Sequence, residues 1–118
     1  MLYYFLYFYL LFLQARLNLV GGAWCPSKSW SSKLNYLEID LLDDYVVSSI
    51  LIQGRYANDG LKNEFATHIM LKFWRKGYTE FLDYRDEKSE VLLKANNNGY
   101  DVSEQKLTNM IVLGSKIR

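Results

Sequence analysis

A chain of 118 residues suits one domain with a buried core of its own. Its net charge is +1, with 14 basic against 13 acidic residues, so no basic footprint marks it for nucleic acid. One histidine and one cysteine provide neither a zinc ligand set nor an intramolecular disulfide, and ten tyrosines favour β structure over helix.

The chain opens with "MLYYFLYFYLLFL", an uninterrupted apolar run over residues 1–13, closed by the polar "QARLN". The run is short for a membrane span, which takes about 20 residues. It matches the apolar core of a secretory signal, although no basic residues precede it, and Ala15 offers a small residue for cleavage. A buried strand or an extended gene model are the alternatives. Residues 1–20 are therefore read as a signal-like segment or extension, and residues 21–118 as the domain. Within "GGAWCP" stand the lone Cys25 and the lone Pro26. An unpaired cysteine fits a reducing compartment, whereas a secretory signal implies an oxidising one. The residues alone leave that conflict open.

From here short apolar runs alternate with turn residues, the pattern of an antiparallel β domain. "YLEIDL" (36–41) alternates at period two and predicts a half-buried strand. Asp43-Asp44 reads as a turn, and "YVVSSILIQG" (45–54) as a more central strand. In "RYANDGLKNEF" the Asn58-Asp59-Gly60 triplet predicts a reversal, because these residues tolerate positive φ. "THIMLKFW" (67–74) places Ile69, Leu71 and Phe73 on one face. Arg75-Lys76-Gly77 turns it into "YTEFLDY" (78–84), a hairpin. "EVLLKA" (90–95) is a strand, "NNNG" (96–99) a turn, and "MIVLGSKIR" (110–118) the last strand. No window keeps helical periodicity. The prediction is all-β: a sandwich or barrel of short antiparallel strands.

Catalytic chemistry finds little support. His68 sits opposite Ile69 on its strand, where a solvated side chain is expected. The carboxylates of "DYRDE" (83–87) fall in a turn, and no phosphate loop, nucleophile elbow or metal motif occurs. Loops are the better candidates for function, since rigid strands display binding groups there. Arg55 follows one strand and Glu64 precedes the next, so the reversal between them brings both to the loop base. A surface ion pair worth ~0–1 kcal/mol is one reading. The other is a charged, aromatic-flanked platform, with Tyr56 and Trp24 nearby, that grips a partner.

The series "GGAWCP", "YLEIDL", "ILIQGRYANDGLKNEF" and "LKFWRKGYTEF", followed by "NNNGYDV" and "IVLGSKIR", resembles the discoidin domain over residues 21–118. This is also called the coagulation factor V/VIII type C domain, and the chain looks most like the form in discoidin domain receptors. The resemblance implies a jelly-roll-like antiparallel β-sandwich or barrel of the galactose-binding-like kind, here truncated at both ends. It implies that Cys25 is a structural half-cystine whose partner lies beyond Arg118, and that Trp24 packs in the core beside it. It further implies an extracellular recognition and cell-adhesion module, with collagen or another matrix protein as ligand. Arg55 and Glu64 take the family's arginine and glutamate positions, with Tyr56 beside them, and Gly21 stands where the family carries an aspartate. The alternatives are binding of anionic phospholipid, for which Trp30 between Lys28 and Lys33 would be the apolar spike, and a non-binding fragment. Neither a cofactor nor a metal is implied, nor an enzymatic activity; a kinase would belong to another part of a parent receptor.

Overall fold

The computed structural model describes residues 16–20, 22–24, 35–56 and 63–118. Among them every regular element is a strand: β1 (Ile39–Val47), β2 (Ser49–Ile52), β3 (His68–Met70), β4 (Lys72–Trp74), β5 (Leu82–Asp83), β6 (Leu92–Lys94), β7 (Ser103–Lys106) and β8 (Val112–Ile117). All pairings are antiparallel. One sheet has the order β1-β8-β4-β5, and two further pairs are β2-β7 and β3-β6. The all-β antiparallel architecture is the one predicted.

Two corners wrap these sheets round one interior. β1 runs against β8, with Val47 opposite Val112, and one residue later β2 runs against β7, with Ser49 opposite Lys106. At the crossing the Leu107 N–H donates to the Ser48 carbonyl at 2.8 Å, so the change of partner leaves that group satisfied. The same happens between β3 and β4, where the Leu71 carbonyl accepts from the Tyr84 N–H at 2.9 Å. Chains that switch sheets in this way make the edges of a sandwich. Between the layers lie Leu71, Phe73, Tyr84, Leu93, Leu107, Val112 and Ile117, with Ile50, Ile69 and Val47 packed against them. The alternation at 69, 71 and 73 thus points inward as read, and His68 on the opposite face is exposed. The predicted hairpin also forms: Gly77 takes φ +98°, the Tyr78 N–H donates to the Arg75 carbonyl, and β4 pairs with β5.

The structure departs from the sequence reading at three points. Asp43 and Asp44 lie within β1 and not in a turn between two strands. The register jumps from Asp40 opposite Lys116 to Tyr45 opposite Gly114, so four residues oppose one and the strand bulges. Leu42, 83% exposed, takes φ +67° there. The Asp40 and Asp43 carboxylates accept from the Leu42 and Asp44 N–H groups at 2.9 and 2.8 Å, supplying the partners the ladder no longer provides. Second, β7 is a strand with no apolar signature: half-buried Ser103 and Gln105 alternate with exposed Glu104 and Lys106. Third, Trp24 is 38% exposed and stands outside the core cluster. Cys25, Trp30 and the Asn58-Asp59-Gly60 reversal lie outside the described residues.

This division between core and bulge has a direct consequence for stability. Phe73→Ala, at a fully enclosed site, is expected to cost about 3–5 kcal/mol. Leu42→Ser on the bulge should stay within about 0.5 kcal/mol of the parent. Urea unfolding of the two variants measures both, and equal losses would contradict the assignment of the core.

Candidate functional site

β2 ends at Ile52, and Gln53 and Gly54 carry the chain to Arg55. Arg55 and Glu64 then form an isolated antiparallel bridge. The Arg55 N–H donates to the Glu64 carbonyl at 2.7 Å, and the Glu64 N–H donates back to the Arg55 carbonyl at 3.0 Å. Their side chains pair as well, with Arg55 Nη1 3.2 Å from Glu64 Oε2. The two residues singled out in the sequence are brought together, and by backbone as much as by charge. They differ in exposure: the arginine side chain is 33% exposed and the glutamate 60%. Tyr56, next in the chain, is half-buried.

A third segment, residues 96–101, completes the arrangement, and sequence reasoning took it only for a turn. Its packing is backbone on backbone. A Cβ on Gly99 would lie 2.5 Å from the Arg55 carbonyl oxygen and 3.3 Å from Asn63 Cα. A Cβ on Gly54 would lie 2.5 Å from the Glu64 carbonyl oxygen and 2.9 Å from Gly99 Cα. Among the described residues only Gly77 is a glycine with positive φ, so Gly54 and Gly99 are required by space and not by conformation.

Asn96 ties the same segments together from within. It is 6% exposed, and its Nδ2 donates to the carbonyls of Ile52 at 3.0 Å and Asp101 at 3.1 Å. Its backbone N–H donates to the Ala66 carbonyl at 3.0 Å. One buried residue thus holds the strand entering Arg55, the strand leaving Glu64 and its own loop. Gln53 adds a surface tie, donating from Nε2 to the Tyr100 carbonyl at 2.6 Å and accepting at Oε1 from the Asn18 N–H at 2.6 Å. The run of asparagines was the available signal for this hub, since a buried amide can serve several backbone groups at once.

What this arrangement offers is recognition rather than turnover. A guanidinium and a carboxylate stand fixed at one rim, with the exposed rings of Phe65 and Tyr100 next to the bridging segments in the chain. Among the described residues no cluster of three His, Cys, Asp or Glu side chains could hold a metal ion, and no helix is long and apolar enough to cross a membrane. The family model of the F5/8 type C domain matches residues 12–118. The chain belongs to the F5/8 type C, or discoidin, family. The matched span begins upstream of the boundary read at residue 21.

F5/8 type C domains are non-catalytic binding modules, and the relatives of this one are receptors. It is 36% identical over 86 residues, 70% of the chain, to discoidin domain-containing receptor A of Caenorhabditis elegans. It is 30% identical over 93 residues, 78% of the chain, to discoidin domain-containing receptor tyrosine kinase B of the same organism. Those matches span only 11% and 12% of the two receptors' lengths.

The close approach of the three segments is open to test. In Gly99→Ala the new methyl meets backbone, which must shift, at an expected cost of about 1–3 kcal/mol. Gly77→Ala has nothing within 4 Å of the new Cβ and suffers only from its φ of +98°. Urea unfolding gives the cost, and amide spectra give the location. The Arg55 and Glu64 signals should move in Gly99→Ala and stay in place in Gly77→Ala; unmoved signals in both would show that the third segment does not bear on the bridge.

Proposed function

We propose that this discoidin domain is the ligand-recognition module of an extracellular adhesion receptor, and that its ligand is triple-helical collagen, gripped by Arg55 and Glu64 with Tyr56 beside them. The observation that carries the reading is the Arg55–Glu64 bridge, which fixes both charged groups at 3.2 Å while leaving the carboxylate mostly exposed. Collagen's three polyproline-like chains project side chains at regular spacing, and its backbone carbonyls are ready acceptors. A guanidinium on a pinned backbone and already paired with Glu64 presents several donors and has given up part of its freedom before binding. The names of the relatives, both discoidin receptors, support the setting at a cell surface.

The test separates a binding pair from a structural one. Arg55→Ala removes a charge-assisted hydrogen bond to the ligand, worth about 1.5–3 kcal/mol, so affinity should fall roughly 10- to 100-fold. The melting temperature should barely change, since a partly exposed pair contributes ~0–1 kcal/mol to the fold. Surface plasmon resonance on immobilised triple-helical collagen, with heat-denatured collagen as control, reads the first quantity. Thermal unfolding reads the second. A variant that loses stability and keeps its affinity would show the pair to be structural, and binding of phosphatidylserine vesicles in place of collagen would assign the site to lipid.

A further inference from the structure

We infer that residues 96–101 form a second wall of the same binding face, and that Tyr100 is its contact residue. The inference rests on the collagen reading of the Arg55–Glu64 site and extends it to the loop whose Gly99 packs against the bridge.

The placement comes from backbone contacts. Gly99 is buried, and its Cα faces the Arg55 carbonyl so closely that even a methyl would collide. Tyr100 is the next residue in the chain, so its ring starts one residue from the bridge that holds Arg55 and Glu64. Its backbone is secured at both ends. The Tyr100 N–H donates to Asn98 Oδ1 at 3.0 Å, and its carbonyl accepts from Gln53 Nε2 at 2.6 Å. The Asp101 N–H donates to the same Asn98 Oδ1 at 2.7 Å, and the Asp101 carbonyl to which Asn96 is tied closes the loop.

The side chain is treated differently. Tyr100 is 56% exposed, and neither its ring nor its hydroxyl serves the core. Single exposed aromatic rings are common and by themselves carry no meaning. The contrast here lies in the combination of an immobilised backbone and an uncommitted ring. Such a residue offers contact area while losing few degrees of freedom on binding, which is why tyrosine serves well in recognition surfaces. A flat ring with a terminal hydroxyl suits the imino-acid rings and backbone carbonyls of a Gly-X-Y triple helix. The charged pair and the ring would then contact the same ligand.

Tyr100→Ala and Tyr100→Phe in the full chain, measured on immobilised triple-helical collagen, decide the matter. Loss of the ring from a contact position should weaken binding roughly tenfold or more, as for other aromatic anchors. Tyr100→Phe keeps the ring and should stay nearer the parent than Tyr100→Ala does. Thermal unfolding should be the same for all three proteins, because the ring supports nothing inside. If Tyr100→Ala binds like the parent while Arg55→Ala does not, this inference is wrong and the collagen reading stands. A drop in melting temperature that accompanies the loss of binding would make Tyr100 structural and equally overturn it. A parent chain that fails to bind collagen would overturn both.

Discussion

Everything at the candidate site follows from one constraint: three stretches of backbone must meet at van der Waals distance. The segments at Gly54, at Asn63 and Glu64, and at Gly99 approach so closely that no side chain fits between them. The absent Cβ atoms at positions 54 and 99 are what let the Arg55–Glu64 bridge close. Packing of this kind is unforgiving, because backbone atoms have no rotamers with which to yield. It also brings polar groups into the interior, and these need partners. Asn96 meets part of that need with a single side chain, donating from one amide to two carbonyls in different segments. The close approach creates the demand, and the buried amide supplies the tie.

The sandwich beneath supplies rigidity. Its two corners, at Ser48 and Leu71, pass strands from one sheet to the other without breaking the hydrogen-bonding of those carbonyls. The strands that leave these corners carry alternating apolar residues into one core. A rim of loops resting on such a core can hold charged groups in place, and recognition surfaces depend on that more than on contact area. Arg55 shows the effect locally. Its backbone is pinned by two hydrogen bonds, so the guanidinium has less freedom than a surface arginine on a mobile loop.

How much of this could be read in the sequence varied with the kind of signal each residue carries. Alternation at Ile69, Leu71 and Phe73 reports burial directly, so those strands and their inward face were legible. The bulge in β1 was hidden because Asp43 and Asp44 carry the composition of a turn. Asp43 does cap a local N–H group, that of Asp44, as turn residues do, but inside a strand. β7 was invisible for the opposite reason: its half-buried positions are Ser103 and Gln105, which have no hydrophobic periodicity to detect. At the site, spacing and a turn signal were enough to bring Arg55 and Glu64 together. Gly99 was legible as a glycine but not as a packing glycine, since a sequence gives no sign of which backbone will press against it. Trp24, expected inside, is 38% exposed and outside the core cluster, and nothing in the local motif distinguishes the two placements.

Amide hydrogen exchange of the full chain tests the central constraint most directly. If three backbones are locked together at Gly54 and Gly99, the Arg55 and Glu64 amides should exchange slowly, like those of Lys72 and Arg118, which bond β4 to the residue after β8. Exchange of Arg55 and Glu64 at the rate of an open loop, with Lys72 and Arg118 still protected, would contradict it.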